Sequence, residues 1–196
     1  MKKIPTLFVR LFDDKHRKTI TRDITSGMEW VFKGEGDATI KMDGSCCAII
    51  DGIFYKRYDA KRGKEPPAGA IPCSDPDPIT GHWPHWVKVD ESNPGDRWFL
   101  EAFRNRKILT DGTYEAIGPH FQGNPYKLHK DTLYRHGSEI VSVERSFDGI
   151  KEYLQTHCIE GLVFWKDGEP QCKIKRSDFG FKWPEYNTVV LDECNG

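Results

Sequence analysis

Ala38-Thr-Ile-Lys-Met-Asp-Gly-Ser-Cys-Cys-Ala-Ile-Ile-Asp-Gly-Ile-Phe-Tyr-Lys-Arg-Tyr58 is the stretch that decides the fold. It reads as strands joined by tight turns. Ala38–Met42 leads into Asp43-Gly44. Cys46–Ile50 then runs to Asp51-Gly52, a strong two-residue hairpin signal. Ile53–Tyr58 returns.

Outward from this hairpin the pattern repeats with variations. Residues 59–97 hold many of the prolines and glycines and read as a long surface loop. Trp98–Phe103 reads as a strand or a short helix. Gly112–Gly118 reads as a strand, 119–130 as loop, and Thr132–His136 as another short strand. Ser146 is a helix cap, with a helix running to about His157 and presenting Ile150, Tyr153 and Leu154 on one face. Gly161–Trp165 and Gln171–Lys175 flank Lys166-Asp-Gly-Glu169, a second Asp-Gly hairpin. The expected class is α+β, built on antiparallel sheets with flanking helices, as a single domain over 1–196.

Composition sets bounds. The chain has 196 residues, 37% hydrophobic and 30% charged, enough for a real core and a polar surface. It has no apolar run long enough to cross a membrane or to act as a signal peptide, so no membrane partner and a cytoplasmic location are expected. A net charge of -1 does not announce a nucleic-acid binder. Basic residues nevertheless cluster at Lys56, Arg57, Lys61, Arg62 and Lys64, and again at Lys173, Lys175 and Arg176. Two such clusters, if they converge, can hold a polyphosphate without making the whole protein basic. The six cysteines include no Cys-x-x-Cys pair and read as reduced thiols, with adjacent Cys46 and Cys47 on opposite strand faces.

Three short motifs carry the chemistry: Lys41-Met-Asp-Gly-Ser45, Glu160-Gly-Leu-Val163 and Lys173-Ile-Lys175. Each alone has a plain structural reading. Lys41 suits an exposed turn, Glu160 a strand-edge carboxylate, and Lys173 and Lys175 the solvated face of an edge strand. In order, and on strands, they resemble the covalent nucleotidyltransferase superfamily of ATP-dependent ligases and mRNA capping enzymes. Tyr114–Gly118, followed by Pro119-His-Phe-Gln-Gly-Asn-Pro125, resembles its stand-alone ATP-dependent RNA ligases in particular.

The resemblance implies a nucleotidyltransferase (ATP-grasp-like ligase adenylation) domain without an OB-fold domain, since only about twenty residues follow Lys175. It makes Lys41 the lysine that accepts AMP. Thr39 and Ile40 fall on the strand whose backbone contacts adenine, and Asp43 and Gly44 complete the nucleophile motif. Arg57 takes phosphate or ribose, with Lys61 or Arg62 as alternatives; Lys56, Lys61 and Arg62 are candidates for RNA phosphate. Glu115 takes the ribose, and Glu160 the divalent metal, Mg²⁺ or Mn²⁺. Lys173 and Lys175 grip the α-phosphate. The family's adenine-stacking aromatic is missing, and Tyr134 or His136 stands in its place. The implied activity joins RNA 5′-phosphate and 3′-hydroxyl ends with ATP as co-substrate, as in RNA repair by a monomeric enzyme. A DNA-nick ligase, a capping guanylyltransferase and a non-catalytic nucleic-acid-binding module are the alternatives.

The chemistry needs these residue types. A free lysine amine is almost fully protonated at neutral pH. Nearby cations disfavour the ammonium form, and Lys173 and Lys175, on one face of a strand, are suited to act so on Lys41 while holding phosphate oxygens. A carboxylate such as Glu160 holds the metal that neutralises a triphosphate. Gly44 and Gly161 remove side chains where a nucleotide would pass close to the backbone. His82-Trp-Pro-His85-Trp86 is a weak zinc signal and reads better as a structural loop packed by its tryptophans, with base stacking by Trp83 and Trp86 as the functional alternative.

Overall fold

A computed structural model of the chain describes residues 3–15, 18–106 and 110–183. The strands are β1 (Phe8–Phe12), β2 (Lys18–Ile24), β3 (Asp37–Lys41), β4 (Ser45–Ile50), β5 (Ile53–Ala60), β6 (Ile71–Pro72), β7 (Trp83–Lys88), β8 (Gly112–Ile117), β9 (Thr132–Arg135), β10 (Gly161–Lys166) and β11 (Glu169–Lys175). The two α-helices are α1 (Arg97–Arg104) and α2 (Phe147–Thr156). The class is α+β with mostly antiparallel sheets. The chain forms two compact units. One, the inserted unit, is Asp43–His136 with the N-terminal Lys3; the other, the split unit, is Ile4–Met42 together with the chain from Gly137 onward.

The inserted unit is a six-stranded sheet in the order β6-β7-β5-β4-β8-β9. Its centre is the expected hairpin. Asp51 and Gly52 both take positive φ, 50° and 73°, as a two-residue turn that follows the strand twist requires. Their N–H groups donate to the Asp111 carboxylate at 2.8 and 3.1 Å. Strand alternation then sorts the side chains. Cys47, Ile49, Phe54, Tyr114 and Ala116 form the core on one face, against α1. Trp98–Phe103 is therefore helix, not strand. Phe99 and Phe103, four apart, lie on one helix face, and the Phe103 ring stacks on Phe54 at 4.6 Å.

The expected 59–97 loop is interrupted. Trp83–Lys88 is a strand between β6 and β5, with His85 and Trp86 buried. Pro84 hid it, because proline reads as a strand breaker. Here its carbonyl accepts from the Cys73 N–H at 2.9 Å, while β5 pairs on the other side. Trp86 packs with Ala48 and Tyr55, so it is not a base-stacking platform, and the Trp83 indole donates to the Ser74 carbonyl at 2.8 Å. His85 Nδ1 faces the Trp83 carbonyl at 2.9 Å.

The split unit carries the three-stranded sheet β11-β10-β3 and the hairpin β1-β2. Asp167 (φ 55°) and Gly168 (φ 77°) make the second expected Asp-Gly turn. Ser146 caps α2 by accepting from the Gly149 N–H, and Ile150 and Leu154 are buried with Leu7, Phe8, Leu162, Phe164 and Ile174. The β1-β2 hairpin was not anticipated, although Lys18-Thr-Ile-Thr-Arg-Asp-Ile24 carries a β-branched strand signal.

Cys46, Cys47, Cys73, Cys158 and Cys172 are free thiols; Cys194 lies outside the described residues. Among the described residues no helix is long and apolar enough to cross a membrane.

Trp86→Ala is expected to destabilise the protein by about 3–5 kcal/mol, the range for truncating a core aromatic. Trp83→Ala, which empties a half-buried position, costs clearly less. Urea unfolding of both variants checks this, and equal losses would contradict the burial pattern.

Candidate active site

In the split unit, β10 is the middle strand, and its register sets the site. Gly161 pairs with Lys41 on one side and Lys175 on the other. The next same-face row is Thr39, Val163 and Lys173. Period-two alternation thus places Lys41, Lys173 and Lys175 on one face, and Ala38, Leu162, Phe164, Cys172 and Ile174 on the core face. Ile40 also packs on the core side, and its N–H donates to the Glu139 carbonyl at 3.2 Å. Its side chain is therefore not at the lysine site.

Gly161 is required by the sheet itself: a Cβ there would run into the Ile174 carbonyl. Glu160 directly precedes this glycine. One carboxylate oxygen takes the Lys41 amine and the other the Lys175 amine. The turn before it is held by Arg176, whose guanidinium donates to the His157 and Ile159 carbonyls and whose N–H donates to the Glu160 carbonyl at 2.9 Å.

Lys173 differs from its neighbours. Burial first, and then the Lys41, Lys175 and Arg10 cations, push its ammonium down to about 8. At pH 7 roughly a tenth of it is neutral. Beside it, Thr39 is fixed by its hydroxyl, which donates to the Val163 carbonyl at 3.2 Å and accepts from the Trp165 indole at 2.9 Å.

The inserted unit gathers a second set on one sheet face, opposite α1. Cys46 pairs with Glu115, and Glu115 with Tyr134. His136 is held by its edge, Nε2 at 2.9 Å from a Glu115 carboxylate oxygen and Nδ1 at 3.0 Å from the Thr113 hydroxyl. A ring fixed this way can present a face. Arg57 projects to the same side and donates to Asp59 at 2.8 Å. Lys56, one residue earlier, points the other way and is bound to buried Asp96. The sequence placed it with the phosphate-binding basic residues; strand parity separates it from Arg57. Lys61 and Arg62 are exposed beyond the end of β5.

Two residues of this unit were missed. The Asp43 N–H donates to the Tyr126 hydroxyl at 2.5 Å, and the Gln122 amide donates to the Gly44 carbonyl at 3.2 Å. They brace Asp43-Gly44, just after Lys41. Both lie in Gln122-Gly-Asn-Pro-Tyr126, within and just after the segment singled out in the sequence. Gly44 itself is explained by packing, since a Cβ would meet the Ala116 carbonyl.

No group of three metal-ligating side chains occurs among the described residues. Glu160 is the carboxylate in contact with the lysines. That suits a Mg²⁺-type ion bound mainly by phosphate oxygens and water, with one protein carboxylate.

Lys173→Met is expected to raise stability at pH 7 by about 1–3 kcal/mol, because it removes a buried, repelled cation. In the wild type, the unfolded lysine binds its proton up to about 10.5 and the folded one only to about 8. Stability therefore rises with pH across that window, and the advantage of the variant shrinks. Thermal unfolding at pH 7 and pH 10 measures both effects; a gain that does not shrink would contradict the assignment.

No protein-family model matches the chain, and no curated protein is significantly similar to it.

Proposed function

We propose that this protein is an ATP-dependent RNA ligase whose domain belongs to the covalent nucleotidyltransferase type. The observation that carries the reading is the grouping of Lys41, Glu160, Lys173 and Lys175 on one face of β3, β10 and β11, in the motif order of that superfamily. The choice of RNA rests on the resemblance of Tyr114–Pro125 to stand-alone ATP-dependent RNA ligases.

In the first step the Lys41 amine attacks the α-phosphorus of ATP. The P–N bond forms as the bond from that phosphorus to the bridging oxygen breaks, and pyrophosphate leaves with the electron pair. The Lys41 proton has a nearby acceptor in Glu160, already bonded to it. Lys173 and Lys175 stabilise the charge on the α-phosphate, a role that depends on positioning. Glu160 would hold Mg²⁺ or Mn²⁺, and the ion supplies neutralisation of the triphosphate charge. AMP then passes to an RNA 5′-phosphate, forming a P–O–P bond as the P–N bond breaks. Attack by a 3′-hydroxyl on that 5′-phosphate expels AMP and seals the strand.

Incubation with α-labelled ATP and Mg²⁺ or Mn²⁺, followed by denaturing electrophoresis, tests this. Label is expected on the wild type and absent from Lys41→Ala, with Lys173→Met slower by about 10²–10³, the usual loss on removing one charge-stabilising group. Transfer to 5′-phosphorylated RNA in preference to DNA is the expected second stage. Folded wild type that takes no label from ATP or GTP would favour the binding module instead; label from GTP alone would favour a guanylyltransferase.

A further inference from the structure

The lysine face of the split unit continues past β11. Residues 5–7 run parallel to that strand: the Lys173 N–H donates to the Pro5 carbonyl at 3.0 Å, and the Leu7 N–H donates to the Lys173 carbonyl at 2.8 Å. The chain then enters β1 and β2, which bring Arg10 and Lys18 to Asp178, just beyond β11. One Asp178 oxygen accepts from Arg10 Nη2 at 2.8 Å and from the Lys18 amine at 2.7 Å; the other accepts from the Lys175 N–H at 2.9 Å. Lys18 also reaches the Ser177 hydroxyl at 3.4 Å.

Two features of this arrangement lack a structural explanation. Among the described residues, Lys41, Lys173, Lys175, Arg10 and Lys18 are five cations met by two carboxylates, Glu160 and Asp178. Arg10 Nε is enclosed and has no hydrogen-bond partner among the described residues, a condition shared with Arg106 Nε and Arg145 Nη1. Of the three, Arg10 is the one whose charge acts on Lys173, and a phosphate oxygen is the acceptor a guanidinium fork fits best.

We propose that Arg10 and Lys18 form an anion subsite, continuous with Lys173 and Lys175, that binds the pyrophosphate portion of a nucleoside triphosphate. The proposal rests on the ligase reading for the identity of the reaction. Neighbouring strands lie about 4.8 Å apart, so Lys41 on β3 and Lys173 on β11 are separated by about 10 Å of backbone, and Arg10 lies beyond. An in-line attack by Lys41 drives the leaving group away from the nucleophile, toward this end of the cation row. Arg10 and Lys18 then stabilise the charge that the departing pyrophosphate acquires.

The test is calorimetric titration of inorganic pyrophosphate into the full chain at low salt, for wild type, Lys18→Gln and Arg10→Gln/Lys18→Gln. Lys18→Gln leaves Arg10 on Asp178 and guards against a folding failure. The expected result is a several-fold loss of affinity in the single variant and at least tenfold in the double. Wild-type protein should also show pyrophosphate-dependent protection of the β1 and β2 amides from hydrogen exchange. Unchanged affinity, or no protection, overturns the proposal even if Lys41 is labelled by ATP. Weakened binding of a 5′-phosphorylated RNA with unchanged pyrophosphate affinity also overturns it, assigning the residues to the acceptor strand. Loss of pyrophosphate affinity in a chain that ATP never labels leaves the subsite standing and removes the ligase reading.

Discussion

The contact on which the lysine face depends is Glu160 held between Lys41 and Lys175. Three lysines on one face of a small sheet repel one another, and one is substantially buried. A single carboxylate beside Gly161 compensates two of them and leaves the third strained. Such a face is stable enough to fold and remains short of negative charge. On the ligase reading, a triphosphate would supply the negative charge this face lacks. The same contact thus explains how three lysines persist on one sheet face.

Both sheets sort function from packing by the simplest rule available, the two-residue period of a strand. In β11 it sends Lys173 and Lys175 one way and Cys172 and Ile174 the other. In β5 it sends Arg57 to the face shared with Glu115 and His136 while Lys56 serves buried Asp96. Neighbours in sequence have unrelated jobs, and residues far apart in sequence share one.

Much of this was legible in the sequence. The two Asp-Gly hairpins, the Ser146 cap and the strand over Gly112–Ile117 follow from local turn and capping chemistry, which needs no tertiary context. The parity of Lys173 and Lys175 was equally readable. What could not be read were features decided by partners. Pro84 masks β7 until β5 and β6 are known to flank it. Trp98–Phe103 is equally apolar as strand or helix until Phe54 is there to receive Phe99 and Phe103. Lys56 looks like part of a basic patch until Asp96, forty residues on, is seen beneath it. The glycines at 44 and 161 were assigned to a ligand's approach, whereas neighbouring carbonyls already fill that space.

The division of the chain has a kinetic side. Lys41 and Glu160 are 119 residues apart, with Asp43–His136 between them. Closing a loop of that length costs about 4 kcal/mol of chain entropy before any contact compensates. The β4-β5 hairpin closes over two residues, so the inserted sheet has local contacts with which to begin. During synthesis β3 emerges early and waits, unpaired on that side, until β10 and β11 have left the ribosome. The amine at Lys41 therefore gains its carboxylate and its neighbouring lysines late in assembly. A chain in which only the six-stranded sheet has formed still lacks the Lys41–Glu160 contact.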